Sequence, residues 1–192
     1  MAKGAVIVAG MPASGKTAVI SGTTRKLRRF KVVTVGTLMA DVAIKEGIVK
    51  DRDRLRYINI HAIDRLRHAA FASISRLSGF VIINTHASVE QNGRFIAGLP
   101  KGEMAKLKLK GLVYIDADPR AIVKRRARDS SRSREKESVH DLEVQRTFDL
   151  STLAHYASDL NIPLYIIHNK EGALRESQKS FVSAINDIFG EK

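Results

Sequence analysis

Apolar residues fall into five short runs separated by longer stretches of mixed polarity. The runs are AVIVA at 5–9, KVVTV at 31–35, FVIINT at 80–85, GLVYID at 111–116 and PLYIIH at 163–168. They are rich in β-branched residues and nearly continuous, the pattern of parallel strands covered on both faces. Between them the apolar positions take helical spacing. Over 54–78, Leu55, Ile58, Ala62, Leu66, Ala69 and Ser73 recur every three or four residues. A helix is also predicted over TAVISGTTRKLRRF (17–30), another entered at Pro119 in DPRAIVKR, and another from about Val139. The last begins after Gly172 and sets Leu174, Phe181, Val182, Ile185 and Ile188 on one side. Strands alternating with helices predict an α/β fold, with a five-stranded parallel sheet and right-handed crossovers.

The first strand runs into GMPASGKT at 10–17, which matches G-x-x-x-x-G-K-[ST]. A strand before it and a helix after it are the context the motif needs. Gly10 and Gly15 let the backbone curl so that successive N–H groups face phosphate oxygens, and the helix N-terminus adds its dipole. Lys16 is then placed for the β- and γ-phosphates, and the Thr17 hydroxyl for Mg²⁺. The chain is expected to bind a nucleoside triphosphate in a three-layer P-loop NTPase fold, with helices on both faces of the sheet.

Composition narrows the class. At 192 residues and 44% hydrophobic content the chain suits one domain, and no apolar run approaches the roughly 20 residues of a membrane span. The N-terminal MAKGAVIVAG lacks a secretory layout, and there is no cysteine for disulfides or thiolate metal sites. A cytoplasmic location is expected. The 33 Lys and Arg against 20 Asp and Glu give +13, so an anionic partner is expected. A motor needs more chain than this. A GTPase would carry N/T-K-x-D, whereas HNKE at 168–171 has Glu171 in the last place, and no D-x-x-G segment is present. A small-molecule kinase remains, and such an enzyme needs a second anionic site and a lid that excludes water.

The lid candidate is RRARDSSRSR at 125–134, five arginines in ten positions between two predicted helices. Guanidinium forks suit the charge that spreads over a transferring phosphoryl group. The competing reading is a solvated or RNA-contacting patch. No aromatic residue for base stacking lies between Val123 and Phe148, so the lid is favoured and nucleic acid is not the expected partner. Acceptor-site candidates follow the strands, in TVGTLM (34–39), KDRDRLRYI (50–58) and THASVEQNGRFIAGLP (85–100), where α/β sheets place ligands.

Taken in order, GMPASGKT, VGTLM, VKDRDRLR, NTHA, GLP, RRARDSSRSR and HNKEG resemble an archaeal-type adenylate kinase of the P-loop nucleoside monophosphate kinase family, nearly end to end. The resemblance implies reversible Mg²⁺-dependent transfer from ATP to AMP giving two ADP, and a homotrimer. It implies one kinase domain over 1–192, with AMP-binding segments at about 34–100 and a lid at about 128–138. Gly10, Met11, Pro12, Ala13, Ser14, Gly15, Lys16, Thr17 and Ala18 would cradle the ATP phosphates, and Asn169 to Gly172 would lie beside its adenine. Thr37, Arg54 or Arg56, His86, Gly98 and Leu99 would form the AMP side. Arg125, Arg128, Arg132 and Arg134 would join Lys16 around the transferring phosphoryl group. Asn84 stands where the family pattern has Asp, which leaves open whether Asn84 or Asp116 serves the Mg²⁺ water shell. Left open as well are a different nucleoside monophosphate or small metabolite as acceptor, and a basic ATP- and RNA-binding protein.

Overall fold

The structure is a computed structural model that describes residues 2–91, 93–128 and 138–190, without the side chains of Ala2, Lys3, Arg52, Asp53, Arg56 and Gln91. Five parallel strands form one sheet: β1 (Ala2–Ala9), β2 (Phe30–Thr34), β3 (Gly79–Asn84), β6 (Leu109–Asp116) and β7 (Leu164–His168). Their order is β2-β3-β1-β6-β7, so the first strand is central and its C-terminal end opens at a point where the winding reverses. Strand alternation splits the core in two. Ile7, Ile83 and Tyr114 face one side, covered by α2 (Val35–Lys45), α3 (Ile60–Ser75) and α6 (Val139–Asp159). Val8, Ile82 and Val113 face the other, covered by α1 (Lys16–Ser21) and α7 (Leu174–Ile188).

Four local expectations need correcting. The helix after the P-loop stops at Ser21 with Gly22 as its cap, and the Thr23 hydroxyl beyond it donates to the carbonyls of Val19 and Ile20. The segment 25–29 is therefore a connection, not helix. Val35 opens α2 and does not extend β2. The helix expected over 54–78 is a 3₁₀ turn (Arg52–Tyr57) followed by α3, whose buried face is Leu66, Ala70, Phe71 and Ile74, with Ala69 and Ser73 exposed. Leu174 stands exposed at the start of α7 while Phe181 and Ile185 are buried.

The long loop predicted at 85–100 contains a hairpin, β4 (Ser88–Gln91) with β5 (Arg94–Ala97), followed by the short helix α4 (Lys101–Met104). Helix α5 (Pro119–Arg128) leads to the predicted lid, and α6 leaves it. The lid segment over 129–137 lies outside the described residues. The exit is a capping box: Asp141 N–H donates to the Ser138 hydroxyl, and Ser138 N–H donates to the Asp141 carboxylate at 2.9 Å.

Candidate active site

The loop from β1 into α1 has the shape its residues predict. Gly10, Ala13 and Gly15 all take positive φ, at 150°, 69° and 92°. A Cβ on Gly10 would lie 2.4 Å from the Ile115 carbonyl oxygen, and one on Gly15 would lie 2.2 Å from Asn169 Nδ2. Both glycines are therefore required by space as well as by dihedral. The Ser14 hydroxyl is buried without a hydrogen-bond partner, an orphan that fits a phosphate oxygen arriving in the loop.

Lys16 is buried and folds back on its own loop, donating to the carbonyls of Gly10 and Met11. Burial pushes its pKa down to about 7; Arg126 adds to this, and the Asp149 carboxylate works against it. Its ammonium also lies 3.4 Å from Nδ1 of His86, which is 3.0 Å from the Gly10 carbonyl oxygen. The P-loop thus touches the loop that follows β3. Thr17 is exposed on the first turn of α1, and Met11 is buried against Ile122 and Leu142.

Two further segments brace the cradle. Arg125 on α5 donates to the carbonyls of Ala13 and Ser14, both at 3.3 Å, and to that of Asn169 at 3.4 Å. Arg126 donates to the Pro12 carbonyl at 3.2 Å. Asn169, expected beside adenine, also uses its side chain: Nδ2 donates to the Ser14 carbonyl at 2.8 Å while Oδ1 accepts from Ser177 at 3.1 Å. Gly172 has a φ of 79° at the turn into α7. Arg128, exposed at the end of α5, reaches Glu171 at 4.0 Å across the same opening. Arg132 and Arg134 lie outside the described residues.

Of the residues predicted for the acceptor side, Thr37 is exposed on the first turn of α2, and Arg54 is exposed in the 3₁₀ turn. The Arg56 side chain is not described. A Cβ on Gly98 would lie 2.2 Å from the His86 carbonyl oxygen, so this glycine seats the hairpin against the His86 loop. Leu99 packs its side chain in the core, and its carbonyl accepts from Tyr156 at 2.7 Å, which leaves only backbone to face a ligand.

The structure also assembles polar groups that sequence reading passed over. Arg146 on α6 grips both oxygens of Asp116 at 2.7 Å, and His168 Nδ1 lies 2.9 Å from the second of them. Asp149 is buried between the hydroxyls of Ser88 and Tyr114, the latter at 3.2 Å. Burial raises its pKa to about 6, against the pull of those hydrogen bonds and of Lys16. Both residues sit on α6 as ordinary polar positions, and nothing in their spacing marks them. A cleft of about 650 Å³ opens between the ends of β6 and β7, beside Asp116, Lys124, Arg146, His168 and Asn169.

The groups that could hold Mg²⁺ are few. Among the described residues no three His, Asp or Glu side chains cluster in a metal-binding arrangement. Asn84 is buried and donates to the Thr34 hydroxyl at 3.3 Å, and Asp116 is engaged by Arg146. The Thr17 hydroxyl fits the ion, because Mg²⁺ in phosphate sites takes one or two protein oxygens and keeps substrate and water oxygens for the rest.

Known proteins resemble this chain. The AAA-domain family model matches residues 9–143. The adenylate kinase of Methanoculleus marisnigri is 33% identical over 186 residues, covering 94% of this chain and 97% of that protein. Those of Methanopyrus kandleri and Thermoplasma acidophilum are 29% and 28% identical, over 96% and 93% of this chain and 100% and 97% of theirs. A shikimate kinase from Acinetobacter baumannii in complex with shikimate superposes with a TM-score of 0.64 at 14% identity, over 96% of this chain and 93% of that one. A putative kinase from Chloroflexus aurantiacus gives 0.56 at 19% identity, over 96% and 97%. At those identities the superpositions speak for the fold alone.

Proposed function

The chain belongs to the archaeal adenylate kinase family, and on that premise we propose how its residues carry a phosphoryl group from ATP to AMP to give two ADP. The observation that carries the reading is the meeting of Lys16 and His86, 3.4 Å apart. It sets the donor cradle and the acceptor-side loop at one point, where a phosphoryl group passing between two nucleotides has to lie.

ATP enters with its phosphates in the loop 10–18 and its base toward the cleft beside Asn169 and Gly172. The ammonium of Lys16 exchanges the carbonyls of Gly10 and Met11 for phosphate oxygens, recovering charge partners stronger than neutral carbonyls. Thr17 would hold Mg²⁺, which would neutralise charge on the phosphates. Arg125 holds the cradle from α5, and the lid arginines Arg128, Arg132 and Arg134 close over the transferring group. AMP lies on the side of Thr37, Arg54 or Arg56, His86 and Gly98-Leu99. Catalysis is by positioning and charge stabilisation, with water excluded by the lid. The same proposal takes the chain as one kinase domain with acceptor segments at 34–100 and a lid at 128–138, acting as a cytoplasmic homotrimer. Among the described residues no helix is long and apolar enough to cross a membrane.

The test is ADP production from ATP with AMP, GMP, CMP and UMP compared side by side. AMP should be the preferred acceptor. Absence of turnover with AMP, or faster turnover with another monophosphate, removes the assignment.

A further inference from the structure

The lid accounts for one arginine cluster and leaves a second. The first forty residues hold no Asp or Glu, and the run RKLRRFK at 25–31 carries five positive charges. It forms the connection from α1 into β2, at the edge of the sheet farthest along the strands from the P-loop. Arg25, Lys26, Arg28, Arg29 and Lys31 are all exposed.

Topology extends this patch across the sheet. β2, β3, β1 and β6 are parallel neighbours, so their N-terminal ends share one pole. Exposed Arg76 lies just before β3, and exposed Lys108 and Lys110 lie at the start of β6. Four strands at about 4.8 Å spacing make a row roughly 14 Å wide. Arg25, Lys26, Arg28, Lys31, Lys108 and Lys110 have no carboxylate within salt-bridge reach among the described residues. Asp187, exposed near the end of α7, accepts from the Tyr165 hydroxyl, while across β2, β3, β1 and β6 the row itself is cationic, a surplus of one sign with its self-repulsion.

The pole is also shaped. Phe30, Phe80 and Phe189 pack edge to face with centroids 4.9 and 5.3 Å apart about Phe189, and the Arg29 guanidinium lies 4.5 Å from the Phe80 ring and 4.9 Å from the Phe30 ring. The absent side chain of Gly4 lets the Phe189 ring and the Lys110 stem close over β1. The three rings are thus spent on one another and on the Arg29 guanidinium that lies over them. A membrane-surface site would need its apolar face turned outward beside the basic one. A phosphodiester backbone needs only a fixed row of cations.

We propose that this pole, opposite the nucleotide end, is a docking surface for the phosphate backbone of RNA. The exposed aromatic platforms that read bases are lacking among its described residues, so binding is electrostatic and indifferent to sequence. Each strand phosphate neutralised releases counterions, and about five contacts weaken binding by roughly 10²-fold between about 50 and 200 mM salt. Catalysis continues while the chain is docked, since the two sites lie at opposite ends of the strands.

The experiment is fluorescence anisotropy of a fluorescein-labelled oligouridine with the full chain across that salt range, alone and with saturating ATP and AMP. The variant R25E/R28E/K108E is measured in parallel for RNA binding, adenylate kinase activity and melting temperature. Expected are a steep salt slope, binding unchanged by nucleotides, and at least a tenfold loss in the variant with its activity and melting retained. Should that variant melt early, R25Q/R28Q, which removes charge without reversing it, is expected to lose several-fold and serves in its place. Displacement of RNA by nucleotides would place binding at the lid and overturn the proposal. So would undiminished binding by the folded variant, or binding to phosphatidylserine vesicles with none to RNA.

Discussion

Asn169 at the end of β7 holds the carbonyl of Ser14 with its side-chain amide at 2.8 Å, across 155 residues of sequence. One residue from the far edge of the sheet thereby sets the curl of the loop that faces phosphate. Its own orientation is set by Ser177 on α7. Replacing Asn169 with Ala or Asp removes the shorter of the carbonyl's two hydrogen bonds and leaves that from Arg125 at 3.3 Å, at a cost of about 0.5–1.5 kcal/mol. We expect kcat/KM for ATP to fall by up to about tenfold. The Asp variant, nearly equal in volume, should behave as the Ala variant does in steady-state kinetics. A normal Asp variant would show that volume and not donation matters.

Lys16 gives a proton signature. Burial in the free protein pulls its pKa to about 7, and an anionic phosphate beside it favours the ammonium again. Nucleotide binding above about pH 7 should therefore take up a proton, with uptake approaching one by about pH 9. Calorimetry of ATP binding in buffers of different ionisation enthalpy measures this uptake. Lys16→Met should abolish it, and Lys16→Ala should lose nearly all phosphoryl transfer.

Asp149 contributes in the opposite pH window. Its folded pKa of about 6 lies above the ordinary value of 3.8, so between about pH 4 and 6 the folded chain binds more protons than the unfolded one. Stability from this group therefore falls as pH rises through that window, by up to about 3 kcal/mol. Asp149→Asn should remove this pH dependence. Urea unfolding of variant and parent at about pH 4.5 and 7 should show the variant gaining relative to the parent at the higher pH. For Lys16 the sign reverses: unfolded chain binds more protons above pH 7, so stability rises from there toward pH 10.

Gly98→Ala inserts a methyl 2.2 Å from a backbone oxygen that has no freedom to retreat. The hairpin must shift from the His86 loop. We expect a lower melting temperature, and KM for AMP raised more than KM for ATP, in thermal-shift and initial-rate measurements.

The residues that announced themselves are those whose roles follow from local chain geometry. Gly10, Gly15 and Lys16 sit at a spacing that only the strand–loop–helix junction requires, and the five strands are too apolar to lie anywhere but inside. Groups assembled by tertiary packing gave no such sign. Asp149 meets Ser88 and Tyr114 from three separate elements, and Arg146 meets Asp116 across thirty residues. The hairpin at 88–97 was hidden because its strands are four residues long with only half-buried apolar positions. The end of α1 at Ser21, capped by Gly22, is a local event the apolar pattern does not record.

Helix α6 begins at the exit of the lid segment and runs 21 residues, about 32 Å at 1.5 Å per residue. Along that length it is pinned to the hairpin side three times, by Asp149 to Ser88, by Phe148 stacked on Phe95 at 5.3 Å, and by Tyr156 to the Leu99 carbonyl. A rod so fastened fixes the span from the Ser138 cap to the hairpin, so the two are spaced by one helix and not by a chain of loops.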